Sequence, residues 1–83
     1  MITSEQIRAA RALLRMTVAK LADRSGVGVA TIKRLEATNG IPAAHARTLD
    51  FLENAFNEAG VEFIGAPNDQ PGVRLKLPKA RKS

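Results

Sequence analysis

The chain has 83 residues, 45% hydrophobic, 25% charged and 4% aromatic, with no Cys, a single His and a formal net charge of +5. That describes one small domain with an aliphatic core, small enough that dimerisation is an expected source of stability; it excludes disulfides, zinc fingers, thiol nucleophiles, His-based metal sites and a membrane span. The charge is partitioned, with residues 1–47 at a net +5, residues 48–66 at −4 and residues 67–83 at +4, so a basic front that suits a polyanion is followed by an acidic middle and a basic tail.

Thr3-Ser4-Glu5-Gln6 has the spacing of a capping box. It predicts a first helix over about 4–14, with Ile7, Ala10 and Leu14 on one face and Ala9 and Leu13 widening it. Arg15-Met16-Thr17 breaks the pattern. Thr17 is a good N-cap for a second helix, whose buried face is Val18, Leu21 and Ala22 and whose end is Gly26. A third helix opens near Gly28, turns Ile32 and Leu35 inward and stops at Asn39-Gly40. Pro42 suits a helix start, so a long helix is expected from Pro42 or Ala43 to Ala59. Leu49, Leu52, Phe56 and Ala59 form its inner face, Phe51 and Ala55 a second apolar row, and Gly60 its end.

The hydrophobic period then changes to two. Residues 61–64 and 73–77 alternate as half-buried strands around a Gly- and Pro-rich loop, residues 65–72. In the hairpin so formed, Val61, Phe63, Val73, Leu75 and Leu77 face the core, while Glu62 meets Arg74 or Lys76 outside. Pro78 ends the second strand, and residues 79–83 read as a disordered basic tail. The expected organisation is a helical unit over 1–60, a hairpin over 61–78 packed on it or used in dimerisation, and the tail.

The informative stretch runs from Thr17 to Glu36. Two short helices meet at a tight turn at Gly26, Ala22 is small where they cross, and Val27, Ile32 and Leu35 pin the second to the first. That is a helix-turn-helix, whose second helix can lie in a DNA major groove. With Arg11 before the first turn, Leu35-Glu36 closing the third helix and a further helix after Gly40, residues 3 to about 60 resemble the Cro/phage-repressor (XRE) helix-turn-helix family. The segments Gly60–Ile64 and Gly72–Leu75 are similar to a tail found on small single-domain members.

The resemblance implies a mainly α fold of four to five helices with a short C-terminal β-hairpin. It places Gly28, Val29, Ala30, Thr31 and Arg34 at DNA base edges. It places Thr17, Val18, Lys20, Lys33, Thr38 and Asn39 at phosphates, and makes Arg11 and Glu36 a structural salt bridge. The sequence departs from the family where Val18, Val29 and Ala30 stand in place of Gln or another polar residue, and where Gly28 lacks a capping hydroxyl. Val29 and Ala30 cannot hydrogen-bond a base, so the reading load falls on Arg34, with Thr31 and Lys33 beside it.

The expected function is a sequence-specific transcription regulator, a small autoregulating repressor that binds a palindromic operator in double-stranded DNA as a cytoplasmic homodimer. Phe51 and Ala55 on the fourth helix, or Val73, Leu75 and Leu77 on the hairpin, are the candidate dimer surface. The alternative is an antitoxin or anti-activator acting through a protein partner, motivated by the apolar Val18, Val29 and Ala30 and by the acidic middle. No nucleophile–base pair, phosphate loop or ligand cluster supports an enzyme or a cofactor, and His45 reads as a partly exposed helix residue.

Overall fold

Helix α1 (Ser4–Leu14) begins where its capping box places it. Thr3 Oγ1 accepts the Gln6 N–H at 3.1 Å, and Gln6 Oε1 accepts the Thr3 N–H at 2.9 Å. Arg15 closes the helix in the left-handed region, with its N–H on the Ala12 and Arg11 carbonyls. A computed structural model describes residues 1–76, continuing through α2 (Val18–Ser25), α3 (Val29–Glu36), α4 (Ala46–Glu58), β1 (Val61–Ala66) and β2 (Asp69–Leu75).

Four helices bury one aliphatic core. Ile7 and Ala10 of α1, Leu21 of α2, Ile32 and Leu35 of α3, and Leu49, Leu52, Ala55 and Phe56 of α4 meet Ile2, Val27 and Val61 there. Burying each of the large side chains contributes roughly 1.5–3 kcal/mol. None of α1, α2 or α3 would hold its shape alone at such lengths, so this shared burial sustains them. Ala9 and Leu13 do not widen the inner face of α1 as expected; both are exposed, because the neighbouring helices cover only the Ile7–Ala10 side. Phe51 likewise stands outside the core.

The start of α4 also differs from expectation. The helix begins at Ala46, with His45 as N-cap in extended backbone, rather than at Pro42 or Ala43. A helix begun there would give its first carbonyls to its own N–H groups. Instead the Ala43 carbonyl accepts from Arg34 Nη1 at 3.2 Å, and the first turn of α4 hangs from the His45 carbonyl. Pro42 is buried, in an irregular segment that returns the chain to the core.

The hairpin is longer than the alternation predicted. The strands pair antiparallel with Val61 opposite Leu75, Phe63 opposite Val73 and Ala66 opposite Asp69, leaving Pro67-Asn68 as the turn. Much of the expected loop is therefore strand. The register shifts between Ile64 and Ala66, and Gln70 at the shift has φ 56°. Pro71 is tolerated there because a bulge needs no ladder bond from it. Opposite, Gly65 has φ +77°, and a Cβ on it would lie 2.1 Å from the Gln70 carbonyl oxygen, so no side chain fits.

Glu62 and Arg74 pair at 3.2 Å across the outer face, which holds the Glu62 carboxyl below its ordinary pKa. On the inner face Phe63 stacks edge-on against Phe56 with ring centroids 5.9 Å apart, and Val73 packs on the core half-buried. Leu75, expected in the core, is exposed. The second strand ends at Leu75; Leu77, Pro78 and the basic tail lie outside the described residues.

One buried side chain joins the hairpin to α1. The Gln6 amide nitrogen donates to the carbonyls of Ile64 at 3.2 Å and Gly72 at 2.8 Å while its oxygen completes the capping box. Every strong hydrogen-bonding site of that amide nitrogen is thereby used.

Candidate nucleic-acid interface

Helix α2 is set by Thr17, whose Oγ1 accepts the Lys20 N–H at 3.0 Å. It ends at Gly26, which takes φ 79° and returns its N–H to the Ala22 carbonyl at 2.9 Å. Only glycine adopts that left-handed backbone at no steric cost. The turn is closed by Ser25 Oγ, which accepts the Val27 N–H at 3.1 Å, while Val27 drops into the core. Helix α3 follows at once with Gly28 as N-cap. Ile32 and Leu35 anchor it inward; Gly28, Val29, Ala30, Lys33, Arg34 and Ala37 are exposed, and Thr31 is half-buried beside them. Ala30, Lys33, Arg34 and Ala37 recur at helical spacing, so one uninterrupted outer face is presented.

A family model described as Helix-turn-helix matches residues 7–63. The chain belongs to the XRE-type helix-turn-helix family. No curated protein matches it. It is thus a DNA-binding transcription regulator of a family that is generally non-enzymatic. Among the described residues no helix is long and apolar enough to cross a membrane.

In this helix-turn-helix regulator the end of α3 is fastened to α1. Arg11 grips the Glu36 carboxylate with two bonds, Nε to Oε2 and Nη2 to Oε1, both at 2.8 Å. Its remaining Nη1 donates to the Met16 carbonyl at 3.0 Å, so the same guanidinium also holds the α1–α2 turn. The Glu36 bond raises the Arg11 pKa further above its already high value. Arg8 Nη1 donates to the Glu36 carbonyl and to the Thr38 carbonyl. Ser4 Oγ donates to the Leu35 carbonyl at 2.7 Å, and the Ser4 N–H to the Gly40 carbonyl at 2.8 Å. These donors meet the carbonyls that a helix end leaves unpaired, with the charge sign that its dipole favours. Glu5 Oε1 accepts the Gly40 N–H at 2.9 Å, which holds the Glu5 carboxyl below its ordinary pKa.

Of these fastenings the family resemblance pointed only to Arg11 and Glu36. Ser4, Arg8 and Glu5 were missed, although Ser4, Arg8 and Arg11 recur at i, i+4 and i+7 and so form a polar stripe beside the apolar one.

The other expected phosphate residues are variously placed. Thr17 and Lys20 are exposed at the start of α2, and Val18 is half-buried against the core. The Thr38 hydroxyl is engaged, donating to Ser4 Oγ at 2.7 Å with the Leu35 carbonyl at 3.1 Å beside it. Asn39 is exposed in the loop beyond. An open groove of ≈ 610 Å³ between the α1–α2 turn and the end of α4 carries Arg15, Lys20 and Arg24 around an apolar floor of Leu14, Met16 and Ala59. Of the candidates for the dimer surface, Ala55 is a core residue 4% exposed, which removes it from any outer face, and Val73 is half-buried against the core.

Proposed function

We propose that this regulator is a small repressor that binds a palindromic operator as a cytoplasmic homodimer and controls its own gene. The outer face of α3 is the observation that carries the reading. Apart from the single bond from Arg34 to Ala43, its exposed side chains make no hydrogen bond or ion pair among the described residues. They are free for a ligand, while the inner face and the far end of the helix are held.

Arg34 has five N–H donors, of which Ala43 takes one. Released from Ala43, the guanidinium can present its fork to guanine O6 and N7. Val29 and Ala30 suit thymine methyl groups, Thr31 supplies a hydroxyl at the margin, and Gly28 lets the helix start come close to the base edges. Thr17, Val18, Lys20, Lys33, Thr38 and Asn39 contact phosphates, which supply sequence-independent affinity. Half-sites lie about 34 Å apart or a multiple of it.

The test is fluorescence anisotropy on the gene's own upstream DNA, with scrambled DNA, across a salt series. Arg34→Ala is expected to cost about 1–3 kcal/mol and to relax specificity at one base position. Lys33→Ala should weaken binding to all sequences and lower the salt slope by about 1. Equal binding to scrambled DNA, repeated in a selection from random sequences, would overturn the repressor reading in favour of a protein partner.

A further inference from the structure

We propose that the groove between the α1–α2 turn and the end of α4 is a docking site for a short acidic peptide segment of a partner protein, one that carries apolar side chains between its carboxylates. The floor of the groove is Leu14, Met16 and Ala59, all half-buried. Its volume of ≈ 610 Å³ is in the range of sites that hold small ligands. Arg15, Lys20 and Arg24 stand exposed around that floor, and Glu58 is the single carboxylate among the lining residues.

The groove is built before anything binds. Arg15 sits at φ 53° with its N–H on the Ala12 and Arg11 carbonyls, and the Met16 carbonyl is held by Arg11 Nη1 at 3.0 Å. Leu14 and Met16 rest on the core. Lys20 and Arg24 lie one turn apart on α2, and Thr17 caps the same end of that helix, where free N–H groups and the dipole favour negative charge. Arg15, Lys20 and Arg24 form no ion pair among the described residues. A binder therefore meets cations already in place and orders little of the protein.

Charge and apolarity together choose the occupant. Three cations against one carboxylate make the partner acidic. A phosphate backbone would meet the cations but leave Leu14, Met16 and Ala59 uncovered, whereas an apolar side chain flanked by carboxylates satisfies both. Met16 suits such an anchor, since its unbranched thioether adapts to the shape laid on it. The groove is open, so a small molecule in it would keep much of its surface in water, while a peptide continues past it on either side. Thr17 and Lys20 line this groove and also belong to the proposed phosphate contacts. An occupied groove withdraws them from DNA, and the partner acts as an antagonist of operator binding. That consequence, unlike the docking itself, rests on the repressor reading.

The probe is a fluorescein-labelled peptide of Glu and Asp interrupted by two Leu residues, titrated with the full chain without DNA and read by anisotropy. Saturable binding tighter than about 1 mM is expected. Replacing both Leu residues of the peptide by Ser should weaken it about tenfold, through loss of the apolar anchors. Lys20→Glu and Arg24→Glu should each weaken it about fivefold or more, because an attraction becomes a repulsion. Arg15→Gly should weaken it while keeping the left-handed backbone at that position, so the fold is not at risk. Glu58→Gln should tighten it, a gain that no unfolding could produce. Arg47→Glu, an equal charge change on an exposed residue that does not line the groove, should leave it unaltered. No saturable binding, equal binding of the Ser peptide, an Arg47→Glu loss as large as that of Arg24→Glu, or no gain from Glu58→Gln would each overturn the proposal; equal binding of the Ser peptide would mark a plain polyanion surface. Saturating peptide should then displace operator DNA. A peptide that passes the binding tests without displacing DNA would remove Thr17 and Lys20 from the phosphate contacts and leave the docking site standing.

Discussion

Gln6→Met keeps the length and approximate volume of the buried side chain and removes all its hydrogen bonds at once. Three backbone groups then lose their partner: the Thr3 N–H and the carbonyls of Ile64 and Gly72. Thr3 is 1% exposed, so its N–H has no route to water and bears the full penalty. The two carbonyls sit at the edge of the hairpin, where water recovers part of theirs. At about 1–3 kcal/mol for each unsatisfied buried group, with the carbonyls discounted, the loss is about 2–4 kcal/mol. For a domain of this size that corresponds to a fall in Tm of roughly 10–25 °C. Urea unfolding monitored by circular dichroism measures it, and amide exchange should open the hairpin ahead of the helices. Gln6→Glu sharpens the test: it retains the acceptor for Thr3 but sets a carboxylate against two carbonyl oxygens. Its folded-state pKa is therefore raised, and its stability relative to wild type should improve as pH falls and the acid regains a donor. A Gln6→Met protein within about 0.5 kcal/mol of wild type, the range of an inert surface change, would refute the reasoning.

Arg11→Met should cost about 1–3 kcal/mol in urea unfolding, because Glu36, with 10% of its side chain exposed, loses its bidentate partner. Adding Glu36→Gln to that variant should recover part of the loss, since a stranded carboxylate is worse than no pair; absence of recovery would place the energy in the Met16 contact instead. Gly28→Ser should raise stability by a few tenths of a kcal/mol in thermal unfolding, since it adds a capping oxygen to a helix start that has none and its Cβ meets nothing within 4 Å. Glu5 has a depressed folded-state pKa, so its contact with Gly40 stabilises fully at neutral pH and is lost as pH falls through that lowered value. In an acid titration of stability, Glu5→Gln should accordingly flatten the lower limb; an unchanged limb would show that the Gly40 contact has no energetic weight.

The helices were legible wherever a local signal fixed their ends. Thr3 with Gln6, Thr17 and Gly26 act through bonds within a few residues of themselves, and the turn between α2 and α3 follows from them. The start of α4 was misread because Pro42 suits a helix start by its residue type, whereas here it is buried in an irregular segment that returns the chain to the core before the helix begins at Ala46. The hairpin was read too short because Gly and Pro signal a loop by composition, whereas here Gly65 and Pro71 serve a bulge that lets pairing continue. The second role of Gln6 could not be read at all, since its partners lie 58 and 66 residues away. Of the interface, the outer face of α3 was visible in its periodicity. The fastening of its far end by Ser4 and Arg8 was not, because it depends on how α1 and α3 cross.

Nearly every bond that holds α3 uses its inner side chains or its terminal carbonyls. The exposed positions Val29, Ala30 and Lys33 contribute nothing to that attachment, and Arg34 contributes one replaceable bond. Changes at such positions ordinarily move stability by no more than about 0.5 kcal/mol. On the proposed reading of α3, target choice and foldedness are therefore encoded in separate sets of residues. A lineage carrying this scaffold could, on that reading, rewrite the DNA word it answers to, one outer side chain at a time, while every intermediate still folds.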